Sequence, residues 1–342
     1  MFKIVTATLC SALFLFGGAI GASRTAHAQE QKLTDITFAL DFIILGRHAP
    51  FFVALENGYY KDEGLNVKLI PTKGTSDTIQ NVESGVSQMG FVDVPSLVIG
   101  RANGSTIKVV SVIYQKAPFA IFSLDPGANV TTLKGLEGLK VGTGAGSFVS
   151  NITKAMMRKN GLDPNKLEIA NVEPSARVAM LASGNIASVD FYIMSKPGIE
   201  RAAPNAKVRA LLLADFGLDL YSNGIGAKES YLKENPEIVK KFVRATLRGY
   251  QFAFKNKAEA AVLERKSAKA LNDEITVEEL KIVEDLTVTP EVKTKGIGTF
   301  TAEKMKSSVE WMVENGGFPK EKAPKPEDIY ATGFMPEKPV LP

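Results

Sequence analysis

The N-terminal half of the chain alternates between two patterns of apolar positions. Runs of β-branched and aromatic residues predict strands, and segments with apolar residues three or four positions apart predict helices. The first helix, residues 50–57, begins at Pro50 and stops before Gly58. The second has Ser76 as its expected N-cap, and the third runs from Pro95 to the Asn103–Gly104 pair. The predicted strands are residues 35–44, 65–71, 88–94 and 106–115.

A similar succession begins near Ala117. Two segments with helical periodicity lie between runs that again predict strands. The predicted strands are residues 120–124, 139–145, 166–172, 187–194 and 208–216, and the predicted helices are residues 148–160 and 175–184. From Lys228 onward the pattern is mostly helical, and the Pro-rich end is expected to pack along a surface without forming a helix.

Strands that alternate with helices predict an α/β fold class with parallel, doubly wound sheets. We expect two such lobes and a helical C-terminal block. Lobe I comprises residues 29–117 and 216–342, and lobe II comprises residues 118–215. The two crossovers are expected near residues 114–120 and 212–224. This arrangement predicts a ligand cleft between the lobes, beyond the carboxyl ends of the strands.

Residues 1–28 have the pattern of a signal peptide. Lys3 precedes a long apolar run, and the small residues Ala26 and Ala28 stand at the positions before a cleavage site. A retained membrane anchor is the alternative, because the run is nearly long enough to span a bilayer. The polar residues after Ala28 favour cleavage there, and export to the periplasm follows.

Composition excludes several classes of function. Cys10 is the only cysteine and lies within the predicted leader, so the mature chain can form neither a disulfide nor a thiolate metal site. Loss of Lys3 and Arg24 with the leader leaves 39 basic against 37 acidic side chains. This balance is not typical of a protein that binds nucleic acid. We expect no metal and no cofactor.

His48 is the only histidine after the leader. One histidine without cysteine cannot supply a zinc motif, and no G-x-S-x-G segment presents a serine to it. Two interpretations remain open. His48 caps the helix that begins at Pro50, or it contacts ligand at the carboxyl end of the first strand.

A glycine-containing turn, GTGAGSFVSNI, follows a predicted strand and precedes a helix. It lacks the spacing of a dinucleotide site and the Gly-Lys-Ser/Thr ending of a P-loop. Its helix N-terminus still presents unpaired N–H groups that suit an anion or a polarised oxygen. We therefore expect Thr143, Gly144 and Ser147 to contact ligand, and a plain tight turn is the alternative.

Carboxylates and aromatic rings follow several predicted strands. Such carboxylates accept hydrogen bonds from amino groups, and the rings can stack on a flat ligand, although each ring could equally be core. Glu173 lies at another predicted helix start, as a cap or a ligand contact. The candidates are Asp41 and Phe42 after the first strand, Asp93 after the third, and Asp190, Phe191 and Tyr192 in the second lobe. Ser76, at the expected start of the second helix, is a further candidate for ligand contact.

Several of these segments together resemble one family. The segments HAPFFVALENGYYKDEGLNVKLI, VESGVSQMGFVDVPSLVIGRANG and LKGLEGLKVGTGAGSF are similar to periplasmic substrate-binding proteins of ABC importers for sulfonates, nitrate and the pyrimidine precursor of thiamine. NPEIVKKFVRATLRGYQFAF and PEDIYATGFMP extend the similarity over nearly the whole mature chain. The resemblance implies a type II binding-protein fold that closes over one small molecule. It also implies delivery to a membrane permease, and we expect a monomer.

The resemblance specifies the ligand class less narrowly than it specifies the fold and the transport role. Members that bind the pyrimidine precursor carry a large ring after the first strand and a histidine before the first helix, where this chain has Phe42 and His48. Unneutralised carboxylates at Asp41, Asp93 and Asp190 would oppose an anion. We therefore expect a planar, amine-bearing or neutral heteroaromatic ligand such as an aminopyrimidine. A sulfonate, nitrate or aromatic acid is the alternative within the class.

Two other classes of function are less compatible with the sequence. Fungal enzymes that make the thiamine pyrimidine resemble these proteins in fold, but they carry a cysteine-rich motif that the mature chain lacks. A membrane-associated sensory domain requires that the leader remain uncleaved. We therefore expect a binding protein that is not an enzyme.

Overall fold

The computed structural model describes residues 1–2, 32–144 and 147–342. The predicted leader and its cleavage site lie outside the described residues, as do Ala145 and Gly146 of the glycine turn. Residues Leu33–Pro342 form one compact unit, and the division into two lobes stays a prediction. Within the described residues, no helix is both long enough and apolar enough to cross a membrane.

Strands and helices alternate through the first two thirds of this unit, as the sequence pattern predicts. The strands are β1 (Thr34–Ala39), β2 (Leu65–Ile70), β3 (Met89–Asp93), β4 (Ile107–Val112), β5 (Phe119–Asp125), β6 (Lys140–Thr143), β7 (Glu168–Asn171), β8 (Ser188–Tyr192), β9 (Lys207–Leu212) and β10 (Asn223–Lys228). The α-helices are α1 (Ala49–Glu56), α2 (Tyr59–Asp62), α3 (Thr75–Glu83), α4 (Val94–Ala102), α5 (Val149–Lys159), α6 (Pro174–Ala182), α7 (Lys196–Ala202), α8 (Glu229–Glu234), α9 (Pro236–Lys255), α10 (Lys257–Ser267), α11 (Asp273–Thr287), α12 (Pro290–Lys295) and α13 (Ala302–Asn315).

The strands form two five-stranded sheets. The first has the order β2-β1-β3-β10-β4, and the second has the order β7-β6-β8-β5-β9. Each sheet is mixed rather than parallel, because β10 runs antiparallel to β3 and β4, and β5 runs antiparallel to β8 and β9. The chain leaves the first sheet after β4 and returns to it through β10.

Strand β10 is absent from the sequence prediction, in which the last strand ends at residue 216 and mainly helices follow residue 228. Its sequence, NGIGAK, has little of the β-branched character that marks a strand. Close packing explains the glycines. A Cβ on Gly224 would lie 2.1 Å from the carbonyl oxygen of Ser111, and a Cβ on Gly226 would lie 2.7 Å from a methyl group of Val92.

Two local boundaries also differ from the prediction. β1 ends at Ala39 rather than at residue 44, because the chain then turns and buries Asp41 beside the sheet. α3 begins at Thr75, so Ser76 lies inside the helix and does not cap it. The N-cap is Gly74, whose φ of 147° is a backbone conformation that favours glycine.

The carboxyl ends of parallel strands deliver the polar residues to one edge of each sheet. Asp41 follows β1, Asp93 ends β3, and Asp190 lies near the end of β8. Because β10 is antiparallel, its first residue, Asn223, pairs with Asp93 at the same edge. Behind this edge the first sheet packs on α1 and α9 through rings such as Phe38, whose centroid lies 4.8 Å from that of Phe242.

Candidate functional site

A cavity lies where residues from the carboxyl ends of both sheets meet. Its empty volume is about 730 Å³, including the part open to solvent at its mouth. Its described lining residues are Asp41, Phe42, Arg47, Lys73, Gly74, Thr75, Ser76, Asp77, Ser96, Gly144, Ser147, Phe148, Val149, Arg177, Asp190, Phe191, Tyr192 and Ser195.

Asp41 is the centre of a buried polar cluster on the side of the first sheet. Its Oδ2 forms an ion pair with Nη2 of Arg47 at 3.1 Å and accepts a hydrogen bond from Nδ2 of Asn223 at 3.0 Å. Its Oδ1 lies 2.8 Å from Nε2 of His48. Three side chains, two from the segment just before α1 and one from β10, therefore fix one carboxylate.

His48 is completely buried and supports Asp41 from behind. Its Nδ1 accepts the backbone N–H of Leu45 at 3.1 Å, which leaves the proton on Nε2 to be donated to Asp41. Its side chain makes no capping hydrogen bond to α1, and His48 is not among the described residues that line the cavity. His48 thus occupies the N-cap position of α1 without a capping hydrogen bond from its side chain, and ligand contact by His48 stays a prediction.

Burial and charge act in opposite directions on this cluster. Burial raises the pKa of Asp41, but Arg47 and the hydrogen bond from His48 outweigh it, so the pKa lies below its usual value. Burial, with the nearby charge of Arg47, lowers the pKa of His48. The cluster therefore consists of an ionised Asp41, a neutral His48 and a charged Arg47, and Asp41 is not an unneutralised carboxylate.

Asp190 is the centre of a second cluster, on the side of the second sheet. Its Oδ1 accepts from Nη1 of Arg177 at 2.8 Å. Its Oδ2 accepts from the hydroxyl groups of Thr143 at 2.6 Å and Ser147 at 3.1 Å. Burial raises the pKa of Asp190, and these three partners oppose the rise. A Cβ on Gly144 would lie 2.5 Å from Nη2 of Arg177, so glycine lets the guanidinium pack against the turn.

Aromatic rings lie between the two ion pairs. The rings of Phe42 and Phe191 meet edge to face with centroids 6.0 Å apart. The guanidinium carbon of Arg47 lies 4.7 Å from the centroid of Tyr192, and that of Arg177 lies 5.4 Å from the centroid of Phe191. Cations over ring faces gain electrostatic attraction, so these contacts hold both arginines in fixed positions beside the cavity.

The cavity includes most of the sequence-predicted site residues, and ligand contact by each stays a prediction. Asp41, Phe42, Ser76, Gly144, Ser147, Asp190 and Tyr192 line it, whereas His48, Asp93, Thr143 and Glu173 are not among the described lining residues. Thr143 donates a hydrogen bond to Asp190, which does line the cavity. Asp93 caps α4 by accepting the N–H of Ser96 at 2.7 Å, and burial raises its pKa to about 6. Glu173 is exposed and pairs with Lys73 at 3.5 Å.

Sequence reasoning did not find the two arginines or Asn223. A signal for Arg177 is present, because it lies four residues before Leu181 on the buried face of α6. Arg47 lies between Gly46 and His48, in a short segment just before the apolar helix α1, where a charge requires a buried partner. Within the described part of the chain, no group of three His, Cys, Asp or Glu side chains is arranged to hold a metal ion.

Comparisons with known proteins place this chain in a family. The family model described as NMT1/THI5 like matches residues 46–260 of the 342. The riboflavin-binding protein RibY of Chloroflexus aurantiacus is 29% identical over 70% of this chain and 68% of its own length. The formylaminopyrimidine-binding protein of Halalkalibacterium halodurans is 25% identical over 76% of this chain and 77% of its own length.

The relatives also include enzymes. The 4-amino-5-hydroxymethyl-2-methylpyrimidine phosphate synthase of Aspergillus parasiticus is 25% identical over 66% of this chain and 68% of its own length. Among solved structures, the alkanesulfonate-binding protein SsuA of Xanthomonas axonopodis pv. citri, bound to MOPS, matches with a TM-score of 0.69. It is 12% identical, and the match covers 88% of this chain and 99% of that one, which shows the shared fold. The chain thus belongs to the NMT1/THI5-like family and has a periplasmic binding-protein fold.

Proposed function

We propose that this protein captures one small planar molecule in the cavity and delivers it to the membrane permease of an ABC importer. The observation that carries the proposal is the cavity itself, which aromatic side chains and two buried ion pairs line from both sheets. A concave, largely apolar site with a few fixed polar groups is typical of small-molecule binding.

A flat ring suits this lining better than a small inorganic anion. Phe42, Phe191 and Tyr192 present ring surface, and ring contacts contribute about 0.5–1.5 kcal/mol each beyond simple burial. The relatives named for riboflavin and for formylaminopyrimidine support the same chemistry, because both names denote nitrogen heteroaromatic compounds. The charge argument against anions is weaker than the sequence suggested, since Asp41 and Asp190 are each paired with an arginine.

The proposed transport role rests on the predicted export signal together with the fold. The leader pattern of residues 1–28 directs the chain to the periplasm, where such a fold meets its ligand. Contacts from both sheets to one molecule would stabilise a closed arrangement that a permease can recognise. We propose that the protein acts there as a monomer and without a cofactor.

We also propose binding without turnover. The synthase relatives leave an enzymatic role as the alternative. The only cysteine of this chain is Cys10, so the cysteine-rich motif expected of those enzymes has no counterpart here. A ligand recovered chemically unchanged after prolonged incubation supports capture, and conversion of the ligand would contradict it.

A thermal-shift screen tests the proposal. The panel contains aminopyrimidines, flavins, aromatic acids, sulfonates, nitrate and bicarbonate. Binding to the native state alone stabilises it by about 2.7 kcal/mol at a hundredfold excess over Kd. We expect a shift with heteroaromatic rings that is lost in Phe42→Ala and kept in Phe300→Ala, whose ring packs against Tyr330 away from the cavity. Shifts with nitrate or sulfonates alone would overturn the ring ligand.

A further inference from the structure

The wall of the cavity formed by the first sheet contains hydrogen-bonding groups without a partner. Nε and Nη1 of Arg47, Oγ of Ser96 and Oδ2 of Asp93 have no hydrogen-bond partner within 3.5 Å among the residues that the structure describes. The hydroxyl of Ser96 still lies near enough to Asp93 to lower the pKa of that carboxyl group. Arg47 and Ser96 line the cavity and are only 3% and 5% exposed, whereas Asp93 is not among the described lining residues. A buried polar group that is left unsatisfied costs about 1–3 kcal/mol, so such groups indicate where a ligand atom belongs.

The buried acceptors of the cavity are, by contrast, already occupied. Asp41 forms an ion pair with Arg47 and accepts hydrogen bonds from His48 and Asn223. Asp190 accepts hydrogen bonds from Arg177, Thr143 and Ser147. An ionised carboxylate has about four acceptor sites, so little capacity remains for an amino group of a ligand. The buried groups that line the cavity can therefore still donate hydrogen bonds to a ligand, but they have little capacity left to accept them.

Charge selects between the acceptors that a ligand could present. The two buried arginines are each neutralised by a carboxylate, and His48 is neutral. Asp93 lies at the same edge of the first sheet, completely buried. Lys73 also lines the cavity, but it is exposed and already pairs with Glu173. A carboxylate of the ligand would therefore add a negative charge without a buried counter-ion, whereas a neutral oxygen would not.

We propose that the ligand is a planar heteroaromatic ring with an exocyclic carbonyl oxygen, which accepts hydrogen bonds from the guanidinium of Arg47 beside the hydroxyl of Ser96. This inference rests on the proposed function and names its ligand class. Of the amine-bearing and neutral heteroaromatic ligands that the sequence analysis expects, it favours the neutral class. Tyr192 holds the guanidinium from one side, with its ring centroid 4.7 Å away, so the donor is fixed before the ligand arrives.

A matched series of rings tests the proposal by titration calorimetry on the purified protein. Uracil carries two ring carbonyl groups, 2,4-diaminopyrimidine replaces both with amino groups, and orotate adds a carboxylate to the uracil ring. Lumichrome presents the same dioxo edge on a larger ring. We expect uracil or lumichrome to bind at least about tenfold more tightly than the diamino ring, and orotate to bind no better than uracil.

Two variants locate the effect. Ser96→Ala removes one hydroxyl and keeps the backbone N–H that Asp93 accepts, so it should fold and lower affinity for the oxo ring several-fold, with no loss for the diamino ring. The paired change Asp41→Asn with Arg47→Met removes both charges and should lower oxo-ring affinity at least tenfold. Arg209→Met is the control, because Arg209 also pairs with a carboxylate, Asp125, but is not among the described lining residues.

The outcomes separate this inference from the proposed function. Equal or tighter binding of the diamino ring overturns the carbonyl inference, and so does tighter binding of orotate than of uracil. Unchanged oxo-ring affinity in the Asp41→Asn, Arg47→Met protein overturns it as well. Binding of a sulfonate or nitrate with no ring overturns it too, while capture of a small molecule stands. If no compound binds to correctly folded protein, both the carbonyl inference and the proposed function are overturned.

Discussion

Nε2 of His48 donates a hydrogen bond to Oδ1 of Asp41 over 2.8 Å, and both side chains are buried. The backbone N–H of Leu45 fixes the ring from the other side. Asp41 in turn holds Arg47, whose guanidinium lines the cavity. His48 is thus one side chain removed from the ligand space and acts on it through Asp41.

Replacement of His48 by alanine should therefore destabilise the protein. The change leaves a cavity and removes a donor from a buried carboxylate, which together cost about 3 kcal/mol. Chemical denaturation measures the loss, and affinity for a ring ligand should fall because Arg47 loses its fixed partner. His48→Gln keeps a donor for Asp41 and should recover part of both. Unchanged stability in His48→Ala would show that the hydrogen bond has no such role.

Phe42 provides ring surface at the centre of the site. It lies beside Phe191 and within 6 Å of the guanidinium carbons of both Arg47 and Arg177. Phe42→Ala should weaken binding of a planar ligand about tenfold or more, since ring contact and burial are both lost. The measurement is calorimetric titration beside Phe300→Ala, a partly buried ring away from the cavity. An equal loss in both variants would mean that the effect is not local.

Glu279 of α11 couples the C-terminal helices to the cavity. Its Oε2 accepts the backbone N–H of Arg47 at 3.0 Å, and burial raises the pKa of its carboxyl group from 4.5 to about 7. The folded state therefore binds more protons than the unfolded state between these two values. Its contribution to stability is complete below about pH 4.5 and is lost as the pH rises to about 7.

Glu279→Gln should remove this pH dependence and keep an acceptor for Arg47. Relative to the unchanged protein, the variant should gain about 3 kcal/mol between pH 4.5 and pH 8, since each pKa unit corresponds to about 1.4 kcal/mol. Urea unfolding at both pH values measures the difference. Burial also raises the pKa of Asp93 to about 6 and the pKa of Glu264 well above its usual value, and both groups are present in the two proteins. The difference between the two pH profiles therefore reports on Glu279. Parallel pH profiles for the two proteins would contradict the prediction.

Gly224 tests the packing of the antiparallel strand in the first sheet. Gly224→Ala places a Cβ 2.1 Å from the carbonyl oxygen of Ser111, and the backbone must move to accept it. We expect a loss of more than about 2 kcal/mol in the free energy of unfolding. Gly100→Ala is the matched control, because its Cβ would make ordinary contact at 3.4 Å inside α4, where alanine is favoured. Equal melting temperatures for the two variants would be the contrary result.

The sequence predicts what depends on local pattern. The strand before Asp41, the helix after Pro50 and the strand that ends near Tyr192 follow from apolar periodicity, and the prediction that ligand residues lie at carboxyl ends follows from topology. The strand at Asn223 could not be found in this way. Its glycines are selected by the neighbours Ser111 and Val92, which are distant in sequence.

The electrostatics of the site depend in the same way on tertiary contacts. Asp41 and Asp190 are visible in the sequence as charges after strands, but nothing in the sequence assigns Arg47 and Arg177 to them as partners. Only the fold brings each arginine to its carboxylate, at 3.1 Å and 2.8 Å. This pairing changes two unneutralised carboxylates into neutral pairs, and it changes the expected chemistry of the ligand.

The most direct test of the central claim is calorimetric titration of the purified protein with lumichrome and, separately, with nitrate. Capture of a planar ring in the cavity predicts saturable binding of one lumichrome per chain, abolished or strongly weakened by Phe42→Ala and preserved by Phe300→Ala. Saturable binding of nitrate without lumichrome, or lumichrome binding that Phe42→Ala leaves unchanged, would contradict it.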